Sequence, residues 1–236
     1  MTSEHKTSTM NQKELPPLES IPDSNVCTGR ESLPAKMWRL KEAQMRNTVR
    51  DALGQEISLL FPYSGDALQL IGLDNNAKTL QLRDAFAQRL LDASQFMSQK
   101  AVETLPDFKS CAAANSSQCI TDIQKSYTLK LWRRPVLPEE LARTNTIISG
   151  LPNQTSKVQF MIELLLNSPN FLYRTEIGTE KPVNGKINLS EFEAASLLSY
   201  ALTDTALDSE LLMAAENKQL KISQKIQEQI ARLIQK

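Results

Sequence analysis

Three features of this 236-residue chain have side chains whose types and spacing can do chemistry: a tryptophan and two arginines, three cysteines, and an aspartate-asparagine run. In "LWRRPVLPEE", Trp132, Arg133 and Arg134 stand directly before Pro135. Guanidinium groups favour carboxylates, phosphates and ring faces, so this run reads as an aromatic and cationic site. It also reads as a corner between two helices. Pro135 disfavours helical geometry in the residue before it, and Pro138 suits the first turn of a new helix. Arg133 and Arg134 would then occupy the last turn of the first helix, where positive charge complements the dipole, and Glu139 and Glu140 the positive start of the second. The corner is the expected role.

Cys111 and Cys119 lie eight apart across a small polar stretch, a spacing that suits a disulfide better than a zinc site without histidine partners. Free thiols in a cytoplasmic protein are the alternative. The only histidine is His5, and the chain has no Cys-x-x-Cys-His, so covalent haem attachment has no site here. Nucleophile-elbow, phosphate-loop and dinucleotide glycine motifs are absent as well. Asp74, Asn75 and Asn76 offer oxygen to a cation, but such runs more often form turns whose side chains bond their own backbone. General base catalysis would fall to a carboxylate or lysine with a shifted pKa.

The elements that must position these residues are helical. Only 7 glycines occur, apolar residues recur at spacings of three and four, and alternating strand patterns are nearly missing, which predicts an all-α, multi-helix orthogonal bundle. Residues 1–35, rich in serine, threonine, proline and lysine, are predicted to be a disordered tail. An N-terminal helical domain over 36–105 and a C-terminal one over 106–236 follow, either as separate domains or as one continuous core. Leu40, Met45, Val49 and Leu53 lie along one helical side that ends on Gly54. A long helix is expected over 79–103 and a polar loop over 106–119. A further helix is expected from about Gln118 to Arg134, and "KVQFMIELLLNSPNFLYR" is the central core helix. Ser190 and Glu193 form a capping box. Ile222, Ile226, Ile230 and Leu233 stripe the last helix, a packing face rather than a membrane anchor, with no later segment to cover it.

Lysine plus arginine total 27 and aspartate plus glutamate total 27, which argues against nucleic acid as an obligatory partner. No apolar run is long enough for a membrane span, and no secretory signal opens the sequence.

Five stretches together carry a resemblance. "WRLKEAQMRNTVRDALG", "GLDNNAKTLQL", "WRRPVLPEEL", "LLNSPNFLYRTEIG" and "LSEFEAASLLSYALTDTALDSELLMAAENKQL" occur in the order of motifs in planctomycete-type cytochrome c-associated proteins, which are built from serial domains of unknown function. The resemblance runs from about residue 36 to 220. It implies a helical, exported, periplasmic protein whose longer relatives continue into a domain with Cys-x-x-Cys-His. This chain would correspond to the amino-terminal part, with haem c expected only in a missing downstream region. An oxidising periplasm would also favour the Cys111–Cys119 disulfide.

Two functions follow. One is a non-catalytic helical module that packs against a haem-bearing region or protein partner and supports it in redox work. The other is an enzyme whose carboxylates and arginines line a cleft between the helical halves. It predicts convergence of Arg46, Arg50, Asp51, Asp74, Asn75, Arg133, Arg134 and Arg174.

Overall fold

In the computed structural model, residues 36–62, 84–114, 116–178 and 187–235 are described; all lie within one compact unit, Leu33–Lys236. Tail residues 1–35, with His5 and Cys27, and the Asp74–Asn76 run lie outside them. The all-α expectation holds: the described residues form eleven helices and one two-stranded ribbon.

Strand β1 (Lys36–Arg39) leads into α1 (Glu42–Leu53), whose buried face carries Met45, Val49 and Leu53. The Lys41 amide donates to Gln44 Oε1 at the start of α1, and Gly54, with φ of 95°, ends it in a conformation that favours glycine. A single turn, α2 (Gln55–Ser58), buries Ile57. Then comes α3 (Asp84–Thr104), with Phe86, Leu90, Met97 and Ala101 buried at the predicted spacing.

The stretch expected to be a polar loop is instead helix α4 (Pro106–Ala113). Pro106 sits in its first turn, and Phe108 and Cys111, three apart, turn onto the core with 0 % and 3 % exposure. That pair is the helical signal, hidden by the polar residues around it. A disulfide joins Cys111 to Cys119 in the next helix, α5 (Ser117–Leu131), with 5.6 Å between their Cα atoms. The following helix, α6 (Pro138–Ser149), starts on its proline as expected.

Helix α7 (Gln154–Asn167) is the centre of the main core. It packs against α3, α4, α5 and α6, and Val158, Met161, Ile162 and Leu165 have no exposed surface. The apolar run predicted as one helix breaks at Ser168, which is extended before Pro169. A one-turn helix, α8 (Pro169–Leu172), follows, and then β2 (Tyr173–Glu176) pairs antiparallel with β1, Trp38 opposite Arg174. Four-residue strands are too short to show an alternating pattern, so this ribbon had no signature in the sequence.

The chain finishes with α9 (Glu191–Thr203), α10 (Ser209–Glu216) and α11 (Ser223–Ile234). Ala195, Leu211, Ala214, Ala215, Leu220 and Leu233 form a second, smaller core. The α11 stripe is therefore largely covered, contrary to expectation: Leu233 is buried and Ile226 and Ile230 are half-buried, while Ile222 stays exposed. The α9–α10 hairpin supplies the apolar surface that covers the stripe. Arg232 of α11 fixes the arrangement with two hydrogen bonds to Asp208, the residue that caps α10.

Candidate functional site

Arg133 and Arg134 are not in the last turn of α5. The helix ends at Leu131, Trp132 closes it, and Arg133 takes a left-handed conformation with φ of 62°. For a residue with a Cβ that geometry costs about 1–2 kcal/mol, and a glycine would adopt it freely. The guanidinium accounts for the arginine. It is buried, and its Nη1 donates to the Leu131 carbonyl at 2.8 Å and the Phe171 carbonyl at 3.3 Å. Its Nη2 donates to the carbonyls of Asn170 and Tyr173. One cation thus satisfies open carbonyls at the end of α5 and around α8, where main-chain acceptors would otherwise be buried without donors. Among the described residues no carboxylate forms an ion pair with Arg133.

The neighbours are equally engaged. Trp132 Nε1 donates to the Leu165 carbonyl at 3.0 Å, which fixes the corner to α7. Arg134 grips Glu140 through both Nη atoms at 2.9 and 2.6 Å, and the Leu137 amide and Asn170 Nδ2 also donate to that carboxylate. Burial pushes the Glu140 pKa up, but the Arg134 hydrogen bonds and charge, with the Leu137 and Asn170 donors, outweigh it and hold the carboxyl below its usual range.

The motif stretches also bond to each other across the seam between α1 and α9. Thr48 Oγ1 and Tyr200 Oη lie 2.7 Å apart and are buried. Asn47 Nδ2 donates to the Asp204 carbonyl, and Gln44 Nε2 to Asp204 Oδ1. Thr205 Oγ1 donates to Asp51 at 2.6 Å, and Arg50 donates to both Asp51 and Asn47. Tyr200 lies beside the Arg133 guanidinium as well, so seam and corner are continuous.

Six of the eight residues of the proposed cleft fall into three places. Arg133, Arg134 and Arg174 line one cavity of about 330 Å³ with Trp132, Tyr173 and Phe192. Arg50 and Asp51 border a groove of about 670 Å³ between α1 and the terminal helices, walled by Leu202, Leu212 and Ile234. Arg46 and Arg50 flank a smaller hollow of about 230 Å³. Asp74 and Asn75 lie outside the described residues. Among those residues no group of three or more His, Cys, Asp or Glu side chains is placed to hold a metal ion.

Several side chains take roles that the sequence pattern does not signal, Glu193 and Arg174 among them. Glu193 does more than complete the capping box: besides the Ser190 amide, its carboxylate accepts from the amides of Ile177 and Gly178. Gly178, with φ of 72°, has no room for a side chain, since a Cβ would come within 2.6 Å of the Asn188 carbonyl oxygen. Arg174 pairs with Glu176 at 2.7 Å, yet the contact is not aligned as a hydrogen bond, and Arg174 Nε has no partner. Burial holds the Arg174 pKa below the ordinary arginine value; the Glu176 charge opposes this and the Arg133 charge adds to it. Ser196 is the remaining case, a buried serine on the cavity wall whose hydroxyl has no partner.

Residues 189–236 match PSD4, a protein of unknown function (DUF1592). That domain is found in planctomycete cytochrome c-associated proteins. The matched segment is α9–α11, with its own core and one wall of the groove. The Asn-Thr-Val-Arg-Asp, Arg-Arg-Pro and Ser-Pro-x-Phe-Leu-Tyr-Arg stretches lie outside the DUF1592 match. No curated protein and no solved structure matches the chain. No described helix is long and apolar enough to cross a membrane, and the disulfide is compatible with an exported protein.

Proposed function

We propose that the chain is a non-catalytic helical module of an exported, cytochrome c-like protein, which packs against a haem-bearing region or partner and supports it in electron transfer. One observation carries this reading: the polar side chains of the motif stretches are engaged with one another. Asn47, Thr48 and Asp51 bond to the α9 end, and Arg133 and Arg134 to the helix-corner carbonyls and Glu140. Such residues fix the relative placement of α1, α5, α8 and α9. A catalytic group, by contrast, must be able to reach a substrate.

The surface that this placement creates is the groove beside α9–α11. Its walls include Leu202 and Ile234, which are 37 % and 67 % exposed, and its rim carries Arg50, Asp51 and Lys130. Apolar walls with a charged rim suit a protein partner. The DUF1592 match supports a haem-bearing region as that partner, given the proteins in which the domain is found. The chain's own residues do not fit a c-type haem, because two of its three cysteines are joined to each other and no Cys-x-x-Cys-His is present.

The test is a binding measurement between the purified chain and the nearest Cys-x-x-Cys-His-bearing region in the same gene or operon. The chain alone should show no Soret band. It should bind the haem-bearing region, and Leu202→Glu or Ile234→Glu should weaken that binding at least about tenfold. A folded, strictly monomeric chain with no affinity for that region removes the reading.

A further inference from the structure

We infer that the hollow between α1 and α2 binds a phosphate group, held between Arg46 and Arg50. This goes beyond the docking reading and does not depend on it, since Arg46 takes no part in the groove wall.

Arg46 is the exception in its motif stretch. Gln44, Asn47, Thr48, Arg50 and Asp51 all make side-chain hydrogen bonds there. Among the described residues Arg46 makes neither an ion pair nor a side-chain hydrogen bond. It is half-buried, on the face of α1 that carries Arg50 one turn on. Like charges at that spacing repel, and an anion between them removes the repulsion.

The nearby carboxylates leave the Arg46 charge unbalanced. Arg50 is paired with Asp51, its Nε donating to Oδ1 at 2.9 Å, and its Nη1 donates to Asn47 Oδ1 at 3.1 Å. Its Nη2 makes no hydrogen bond among the described residues, and the side chain is 43 % exposed, so that edge is open to a ligand. Glu42, one turn before Arg46, is buried and engaged with another partner. No carboxylate lines the hollow itself.

The lining sets the class of ligand. Apart from Ala43 it is polar, made of Arg46, Asn47, Arg50, Gln55 and Ser58. Asn47 and Ser58 are committed to the carbonyls of Asp204 and Gln55 and only shape the wall. The Gln55 side chain is exposed and, among the described residues, unpaired, which adds a neutral donor. No ring or branched aliphatic group is offered to an organic body, so the ligand is the anionic group itself. At about 30 Å³ for each water displaced, a volume of about 230 Å³ holds a tetrahedral anion with several waters around it. Phosphate carries about two charges on oxygens that accept from several directions, which suits two guanidinium forks better than one planar carboxylate does.

Phosphorus NMR titration of the full chain with inorganic phosphate, at constant ionic strength, tests this. Binding should saturate below about 10 mM, and acetate should compete at least about tenfold more weakly. Arg46→Gln should weaken phosphate about tenfold, and Arg46→Lys, which keeps the charge but not the fork, about threefold. Arg143→Gln, at an exposed arginine of α6 outside the hollow, should leave binding unchanged. Should Arg46→Gln fail to fold, Gln55→Ala is the second variant, expected to weaken phosphate about threefold. Glycerol phosphate binding as tightly as the free ion assigns the site to the phosphoryl end of an ester, and binding by inorganic phosphate alone assigns it to the free ion. A folded Arg46→Gln protein that binds phosphate as the parent does overturns the inference. So does an equal loss in Arg143→Gln, equal competition by acetate, or the absence of saturation up to about 10 mM.

Discussion

Arg133 combines two properties that usually exclude each other, a backbone that favours glycine and a side chain that is charged and buried. The strain is worth about 1–2 kcal/mol. Against it stand hydrogen bonds from a charged donor to four main-chain carbonyls, each worth about 1.5–3 kcal/mol in measured cases. The side chain therefore outweighs the backbone. Arg133→Gly should relieve the strain yet destabilise the fold by about 3 kcal/mol or more, read from denaturant unfolding. A glycine variant as stable as the parent would mean that water replaces the guanidinium at those carbonyls without loss. Nothing in "WRRP" announces the left-handed turn, because φ depends on how α5 meets α8. The aromatic and cationic character was legible, and so was the corner; which arginine turns inward was not.

At the scale of elements, the sequence was most informative where a helix had both a stripe and a cap. The buried faces of α1, α3 and α5 follow the spacing of Met45 and Val49, of Leu90 and Met97, and of Ile120 and Tyr127. The Ser190 and Glu193 capping box is present with both of its hydrogen bonds. The misses have a common cause, which is that α4, α8 and the ribbon are all short and take their stability from what they pack on. For α4 the disulfide is part of that support. Closing a short loop between Cys111 and Cys119 contributes roughly 2–3 kcal/mol by chain-entropy arguments. Replacing both cysteines by serine should lower stability by about that amount. Thiol reductant should lower the melting temperature of the parent and leave the double variant unmoved. If the reductant acts equally on both proteins, the stabilisation does not come from this bond.

The molecule as a whole has two apolar cores of unequal size. The main one gathers residues from α1 through α8, together with Tyr200 of α9, around α7. The smaller one is confined to α9–α11 and their connections. Helix α9 belongs to both, with Ala195 in the small core and Tyr200 in the main one, bonded to Thr48. This arrangement predicts a graded response to unfolding. A small core buries less apolar surface, so α10 and α11 should open without the rest and at lower free energy than α7. Leu211→Ala is the sharpest probe, because Leu211 is fully buried at the centre of the small core and makes no part of the main one. Leucine-to-alanine changes at such sites cost about 2–5 kcal/mol when the whole domain unfolds as one unit. Here the loss should fall on the local opening. Amide hydrogen exchange in α10 and α11 should therefore accelerate by a factor of about 30 or more, while α3 and α7 keep their parental rates. Equal acceleration in all four helices would mean that the two cores unfold together, and that the α1–α9 seam transmits the loss to the whole fold.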